Sequence, residues 1–290
     1  LSVYAEPLLE LLENVIYDPF VPQEREEAGG VLFVHYQAPL SDGNDVFMEV
    51  KGGSYSSFLH WESQTWSVRK YAWVSGKLVS RWTAESDWDP VPAGNARFEP
   101  VFHAALANGF VYMPGAGGTI LEVDRATGVQ RRRLGLFGSA IDASMYVVSP
   151  ISVDDRGNLY YNAIKLAAQN PWTSDHLGAW LVKVSPDGNA TRVPYSQLVS
   201  GAPAATDLCL DRFVAEAQPW PPSPSAVPRS IPCGSQRPGL NIAPAIATDG
   251  TVYTVSRAHF NSRWGWLVAV NADLTPKWAA SLRNRFNDGC

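Results

Sequence analysis

The stretch Glu85-Ser-Asp-Trp-Asp-Pro90 places two carboxylates, Asp87 and Asp89, on either side of the indole of Trp88. A sugar-binding site uses that equipment: an aromatic face for the apolar side of the ring and carboxylates to accept its hydroxyls. A turn with an inward-docked tryptophan uses the same residues, and is the plainer expectation. A second candidate is His103, three residues after Pro100 on an apolar run, with His35 at a comparable place earlier in the chain. Two imidazoles near the mouth of a channel could bind a metal or relay protons, whereas a core histidine would simply be hydrogen bonded. The five histidines contain no His-Glu-x-x-His pair and no Cys/His spacing suited to zinc or haem.

Two acidic, glycine-bearing stretches, "SDGND" (41–45) and "DDRGN" (154–158), have the composition of Ca²⁺ loops. Neither has the spaced alternation of carboxylates that such a loop needs, and both fall where a hairpin requires Asp, Asn and Gly at positive φ. The chain has no Gly-x-Ser-x-Gly elbow and no Gly-x-x-x-x-Gly-Lys loop, so a serine hydrolase of the α/β type and a P-loop nucleotide site are unsupported. "GAGG" (115–118) reads as a hairpin tip. Asn189-Ala190-Thr191 is a glycosylation sequon on a turn, relevant only in a eukaryotic secretory host.

Of the three cysteines, Cys209 and Cys233 flank a proline-rich stretch with little means of ordering itself. A bridge there would restrict the unfolded loop, worth roughly 3 kcal/mol by chain entropy. The expectation is therefore a Cys209–Cys233 disulfide and an oxidising compartment, secreted or periplasmic. Cys290, the last residue, has no evident partner. The start lacks a methionine and a signal peptide, which suggests a processed or trimmed chain.

These groups need elements to hold them. The chain has 290 residues, with 46% hydrophobic and 18% charged, and is rich in Gly, Pro, Trp and Tyr, which suits many short strands joined by turns. A net charge of −5 excludes an electrostatic footprint for nucleic acid, and "QRRRLG" (130–135) reads as a solvated strand face. No run of 18 apolar residues exists to form a membrane span. Near the start, Leu8, Leu9, Leu11, Leu12 and Ile16 have the spacing of one short amphipathic helix docked on the main body.

From there the sequence repeats. Residues 43–82, 99–134, 149–195 and 242–278 run through one order of events, the first unit being the most diverged. Pro100, Pro150 and Pro244 open an apolar run. A turn follows at Asn108-Gly109, Gly157-Asn158 and Asp249-Gly250. Alternating strands come next, such as "ILEVD", "LVKV" and "LVAV", ending in another polar turn. Period-2 alternation bounded by turn residues gives strands, and four per unit gives blades of a β-propeller. The fold expected is all-β, four four-stranded antiparallel blades and a short N-terminal helical segment. Residues 1–30 would form that segment and 31–88, 99–138, 146–195 and 241–286 the blades, with a disulfide-bounded insertion at about 196–240. Trp61, Trp66, Trp172, Trp220, Trp264 and Trp266 suit packing between blades.

"LVAVNADLTPKW" and "ILEVDRATG" resemble the repeats of PQQ-like, quinoprotein-dehydrogenase-type β-propellers. That family's outer hairpin carries Leu-x-Ala-x-Asp-x-x-Thr-Gly and then a tryptophan that docks between blades. Leu267, Ala269 and Trp278 match it in the last unit, and Ile120, Asp124, Thr127 and Gly128 in the second; Trp82 would be the docking residue of the first. Asn271 replaces the aspartate, Arg132 stands where the second unit's tryptophan would be, and the third unit has "SPDG". The resemblance implies a propeller and, for an enzyme of the family, pyrroloquinoline quinone (PQQ) and Ca²⁺, but no ligand cluster and no adjacent cysteine pair is present.

A blade left unstacked forgoes on the order of 12 kcal/mol for ~500 Å² of wet apolar face, so four units need closure. They close among themselves, are completed by a second chain, or are a sector of a longer seven- or eight-bladed ring, the last being expected. Three functions follow: a non-catalytic secreted or periplasmic propeller presenting loops to a protein or small-molecule partner; a quinoprotein-like oxidoreductase using PQQ and Ca²⁺; and a glycan-binding or glycoside-cleaving propeller resting on Asp87, Trp88 and Asp89. The first is the primary expectation.

Overall fold

Each unit becomes a sheet because alternating residues give it two faces, one for each neighbouring sheet. The computed structural model of the chain describes residues 11–31, 38–58, 60–92, 101–211, 223 and 225–282. The first sheet is β1 (Leu40–Asp42), β2 (Asp45–Gly53), β3 (Gln64–Val74) and β4 (Lys77–Ser86). The second is β5 (Ala105–Ala107), β6 (Phe110–Gly115), β7 (Thr119–Asp124) and β8 (Gln130–Gly135). The third is β9 (Met145–Val147), β10 (Ser152–Val153), β11 (Leu159–Lys165), β12 (Gly178–Val184) and β13 (Ala190–Pro194). After a hairpin of β14 (Leu208–Leu210) and β15 (Ser230–Pro232) comes the fourth: β16 (Gln236–Pro238), β17 (Ala245–Ile246), β18 (Val252–Ala258), β19 (Gly265–Val270) and β20 (Pro276–Ser281). The named strands pair antiparallel, each with its chain neighbour except β9 and β16, which pair with β11 and β18, so the four large sheets are up-and-down propeller blades.

In the third and fourth sheets the inner strand is split, β9 with β10 and β16 with β17. Pro150 explains the first break: it has no N–H for the ladder, and the Ser149 hydroxyl takes the Asn162 N–H at 2.8 Å instead. Pro150 and Pro244 stand just before β10 and β17, as expected of residues that open an inner strand; Pro100 and His35 lie outside the described residues.

Apolar faces meet at three seams. Phe47, Trp66, Val111 and Leu121 fill the first, Ile120, Leu159, Tyr161 and Val182 the second, and Tyr160, Leu181, Val252 and Val268 the third. At the outer rim each seam is closed by a side chain of one sheet reaching the turn of the next. Trp82 Nε1 and Lys70 Nζ donate to the Arg125 carbonyl at 3.3 and 3.4 Å. Arg132 donates to the carbonyls of Asp187 and Pro186 at 3.1 and 3.2 Å. Lys183 Nζ donates to the Ala272 carbonyl at 2.8 Å. Arg132, a departure from the tryptophan of the repeat, thus performs the tryptophan's docking. Trp278 is different: its ring lies 6.0 Å from Tyr253 of its own sheet and it is 42% exposed. The expected inter-blade docking of Trp278 is therefore not made among the described residues, because no further turn stands beside β20 there.

The N-terminal helix is not where the leucine spacing puts it. It is α1 (Val21–Glu27), begun by Pro22 in its first turn and stopped by Gly29 and Gly30 at positive φ. Leu11, Leu12 and Ile16 are exposed and precede it in non-helical chain; Leu8 and Leu9 lie outside the described residues. Their spacing is helical, but a docked helix also needs an apolar face to cover, and the first sheet spends its accessible end on the chain at 17–27. A buried Asp18–Lys51 ion pair and the Lys51 N–H bonded to the Tyr17 carbonyl hold that segment.

Candidate functional site

β16 pairs with the last half of β18, setting Gln236 opposite Ala258 and Arg237 opposite Arg257. The chain leaves β18 through His259 and enters β16 through Gly234 and Ser235, so these residues share one corner of the fourth sheet. Gly234 has φ +74°, and a Cβ on it would come within 2.8 Å of both His259 and Phe260. Only glycine fits there. The corner is clamped by the Cys209–Cys233 disulfide, with Cα atoms 5.1 Å apart, and by the Phe260 N–H donating to the Cys233 carbonyl.

The third sheet supplies the other half. Between β11 and β12 the chain makes a long excursion through 166–177, turning at Asn170 with φ +50°. It returns with Asp175 and His176 against the fourth sheet. Asp175 accepts from the Ser235 N–H and, at 2.6 Å, from the Ser235 hydroxyl. His176 Nε2 lies 3.0 Å from the Gln236 carbonyl, which fixes its proton on Nε2 and leaves Nδ1 with a bare lone pair. Trp172 stacks on His259 with centroids 6.0 Å apart, carries the Arg237 guanidinium over its ring at 5.4 Å, and donates to the Pro92 carbonyl at 2.7 Å.

One ligand-capable atom from each of Asp175, His176 and His259 falls within 4.8 Å of the others. His259 is 4% exposed and, among the described residues, neither of its ring nitrogens has a hydrogen-bond partner. His176 Nδ1, Gln236 Nε2 and Arg237 Nε are also buried and unpartnered, so five of the nine such atoms among the described residues gather here. Buried polar groups are ordinarily satisfied, and a concentration of exceptions marks a place prepared for something else. Burial depresses both imidazoles: His259 falls to about 4, helped by the charge of Arg237 and by His176, and His176 moves the same way. Burial also lowers Arg257 to about 10. At neutral pH the two histidines are uncharged, with lone pairs free to bind.

The groups singled out in the sequence lie elsewhere. Asp87 accepts from Arg133 at 2.6 Å and from the Ala116 N–H at 3.1 Å, a tie between the first and second sheets. Trp88 is 5% exposed and packs edge-on to Trp66 at 5.0 Å and against Phe102 at 5.4 Å. The exposed indole that a sugar site requires is thus a core residue, because the chain just past β4 turns its ring inward into the first seam. Asp89 lies at the surface, where desolvation by the protein packed around it, and then the charge of Glu62, raise its carboxyl. His103 is half-buried between Phe102 and Ala104 of the first seam, its Nδ1 2.9 Å from the Ala104 carbonyl, beside the buried Glu49 carboxyl that accepts the Ala104 N–H at 2.9 Å.

The acidic turns do not fit Ca²⁺. Asp154 spends its oxygens on the N–H groups of Arg156 and Asn158, the Asn158 amide and the Tyr160 hydroxyl. Asp42 and Asp45 pair with Arg125 and Lys70. Nothing in the sequence marked Asp175, His176 and His259 as a group. The available signal was that 167–176 is an insertion too long for a hairpin tip, with an Asp-His pair at its end.

No family model matches the chain, and no curated protein sequence does. Among solved structures, the quinohemoprotein alcohol dehydrogenase from Comamonas testosteroni shares 12% identity with a TM-score of 0.43, over 83% of this chain and 34% of that one. BamB from Moraxella catarrhalis shares 15% with a TM-score of 0.33, over 84% and 63%. A quinoprotein alcohol dehydrogenase-like protein from Bacteroides thetaiotaomicron shares 11% with a TM-score of 0.27, over 76% and 53%. The chain therefore spans about a third of the length of the first and under two thirds of the others.

Proposed function

We propose that this chain is an extracytoplasmic binding module, its sheets a scaffold and the disulfide-fixed hairpin beside the third seam the surface that meets a protein partner. The disulfide supports an oxidising compartment. The observation that carries the binding reading is the hairpin's inside-out pattern. In β14, Cys209 turns inward to its bridge while Leu208 and Leu210 on either side are 69% and 38% exposed. A strand that buries its cystine and offers its leucines outward, held rigid by a bridge, loses little freedom on docking. Leu177, next to His176 on the third sheet, is exposed as well. A grouped apolar surface of this kind is the signature of an interaction site.

Photo-crosslinking in the native host tests this reading. A benzophenone residue in place of Leu208 should give a discrete adduct with one protein. The same residue at Val129, also exposed apolar surface on the second sheet's outer turn, should give none. No adduct at 208, or the same adducts at both positions, would remove the hairpin as the recognition surface.

A further inference from the structure

Beyond binding through the hairpin, we propose that Asp175, His176 and His259 form a mononuclear transition-metal site, of the zinc, cobalt(II) or iron(II) class. It does not depend on the partner surface proposed above. Three observations converge. The ligand atoms already lie within 4.8 Å of one another, against about 3.4 Å in a four-coordinate zinc site, so binding an ion would draw them together. His259 is buried with both nitrogens unpartnered, and His176 presents a bare Nδ1, so coordination satisfies one orphaned atom on each ring. The outer contacts are those a metal ligand needs: His176 Nε2 is held by the Gln236 carbonyl, and the Asp175 carboxylate by the N–H and hydroxyl of Ser235.

The donor set selects the metal. Two imidazoles and one carboxylate are poor ligands for Ca²⁺ or Mg²⁺, which take oxygen, and good ones for borderline first-row ions. The surrounding charge acts in the same direction. Arg237, buried over Trp172, and Arg257, bonded to the carbonyls of Ala258 and His259, oppose any cation held by electrostatic attraction alone. An ion held by nitrogen lone pairs tolerates them better. Three protein ligands leave one position open, and the two guanidiniums make its occupant an anion, hydroxide or a carboxylate-bearing ligand. The competing account is a polar knot filled with ordered water, which satisfies the same orphaned atoms without a metal.

Cobalt(II) separates the two. The test uses the full chain with its disulfide intact, stripped of metal, in a Cys290→Ser background so that a free thiolate cannot contribute. Titration with Co²⁺ should give one ion per chain, with the visible bands of a four-coordinate nitrogen and oxygen site, and Zn²⁺ should displace it. His176→Ala and His259→Ala should abolish those bands, while His60→Ala, an exposed histidine elsewhere, leaves them unchanged. Ser235→Ala, which removes only an orienting hydrogen bond, should weaken Co²⁺ binding roughly 10- to 100-fold. If the histidine variants fail to fold, the wild-type titration and Ser235→Ala still decide. Absence of Co²⁺ uptake by the folded wild type overturns the proposal in favour of the water-filled knot. So does uptake that Ser235→Ala or either folded histidine variant leaves unaltered.

Discussion

Asp142 illustrates how single carboxylates are used in this molecule. The Lys165 ammonium 2.8 Å away, together with the Ser144 hydroxyl and N–H, holds its carboxyl down at about 2 against an ordinary 3.8. A depressed carboxyl contributes stability above its unfolded value and loses it as the pH falls through the folded one. The Asp142–Lys165 tie should therefore be intact above about pH 4 and lost on approaching pH 2. In Asp142→Asn the fall in urea midpoint across that window should be shallower than in the wild type, and an unchanged slope would show that the tie adds nothing. Asp124 follows the same pattern, lowered to about 2 by Arg131 and Thr127. Asp124 was visible in the sequence as part of the repeat's turn, and Asp142 was not singled out there. Their cationic partners were not visible, because Lys165 reaches Asp142 across strands whose register is set by the sheet.

At the scale of elements, the outer turns carry the inter-sheet ties, and their glycines set how closely sheets approach. Gly128 has φ +76°, and a Cβ there would lie 2.8 Å from the Trp82 indole. Gly188 at φ +94° stands in the same relation to Arg132, at 3.0 Å. Gly128→Ala should then combine backbone strain with a clash against the docked ring, costing about 1–3 kcal/mol. Ala126→Gly in the same turn, which adds no atoms at the seam, serves as control, and chemical denaturation of both variants reads the difference. A loss no larger than the control's would mean that Trp82 does not press on this turn. The repeat was legible because turn chemistry and period-2 alternation are local. That Arg132 replaces a tryptophan was legible only as a mismatch. Its guanidinium, held by Glu122 at 2.8 Å, reaches the two carbonyls of the next turn that an indole would meet only once.

For the whole molecule, the described ties run from the first sheet to the second, on to the third and on to the fourth. The connection from the first sheet to the second also reaches across to the far side. Val91 belongs to the apolar cluster of the third and fourth sheets, Pro92 accepts from Trp172, and the Val101 N–H donates to Asn241 at the entry of the fourth. Trp82 and Trp278 hold equivalent places in the first and fourth sheets, yet among the described residues only Trp82 has a neighbouring turn to dock on. Trp82→Ala should accordingly lower the free energy of unfolding by ~2–4 kcal/mol, and Trp278→Ala by under ~1 kcal/mol, read by chemical denaturation. Equal losses would show that Trp278 is covered by a contact outside the described residues.

By itself the chain's sequence determined what depends on near neighbours: alternating strands, turns built on Asn, Asp and Gly, blade-like units, and a cystine closing a proline-rich insertion. The strands, turns and units follow from backbone sterics and a side-chain period of two, and the cystine from two cysteines that flank a segment unable to order itself. Tertiary structure alone decided the burial of Trp88, the docking role of Arg132 and the meeting of Asp175 and His176 with His259. Those outcomes depend on which sheet face turns toward which, and on a loop of the third sheet folding back over a corner of the fourth. Stacking of sheets brings together residues from opposite sides of the insertion, and no local pattern encodes that contact.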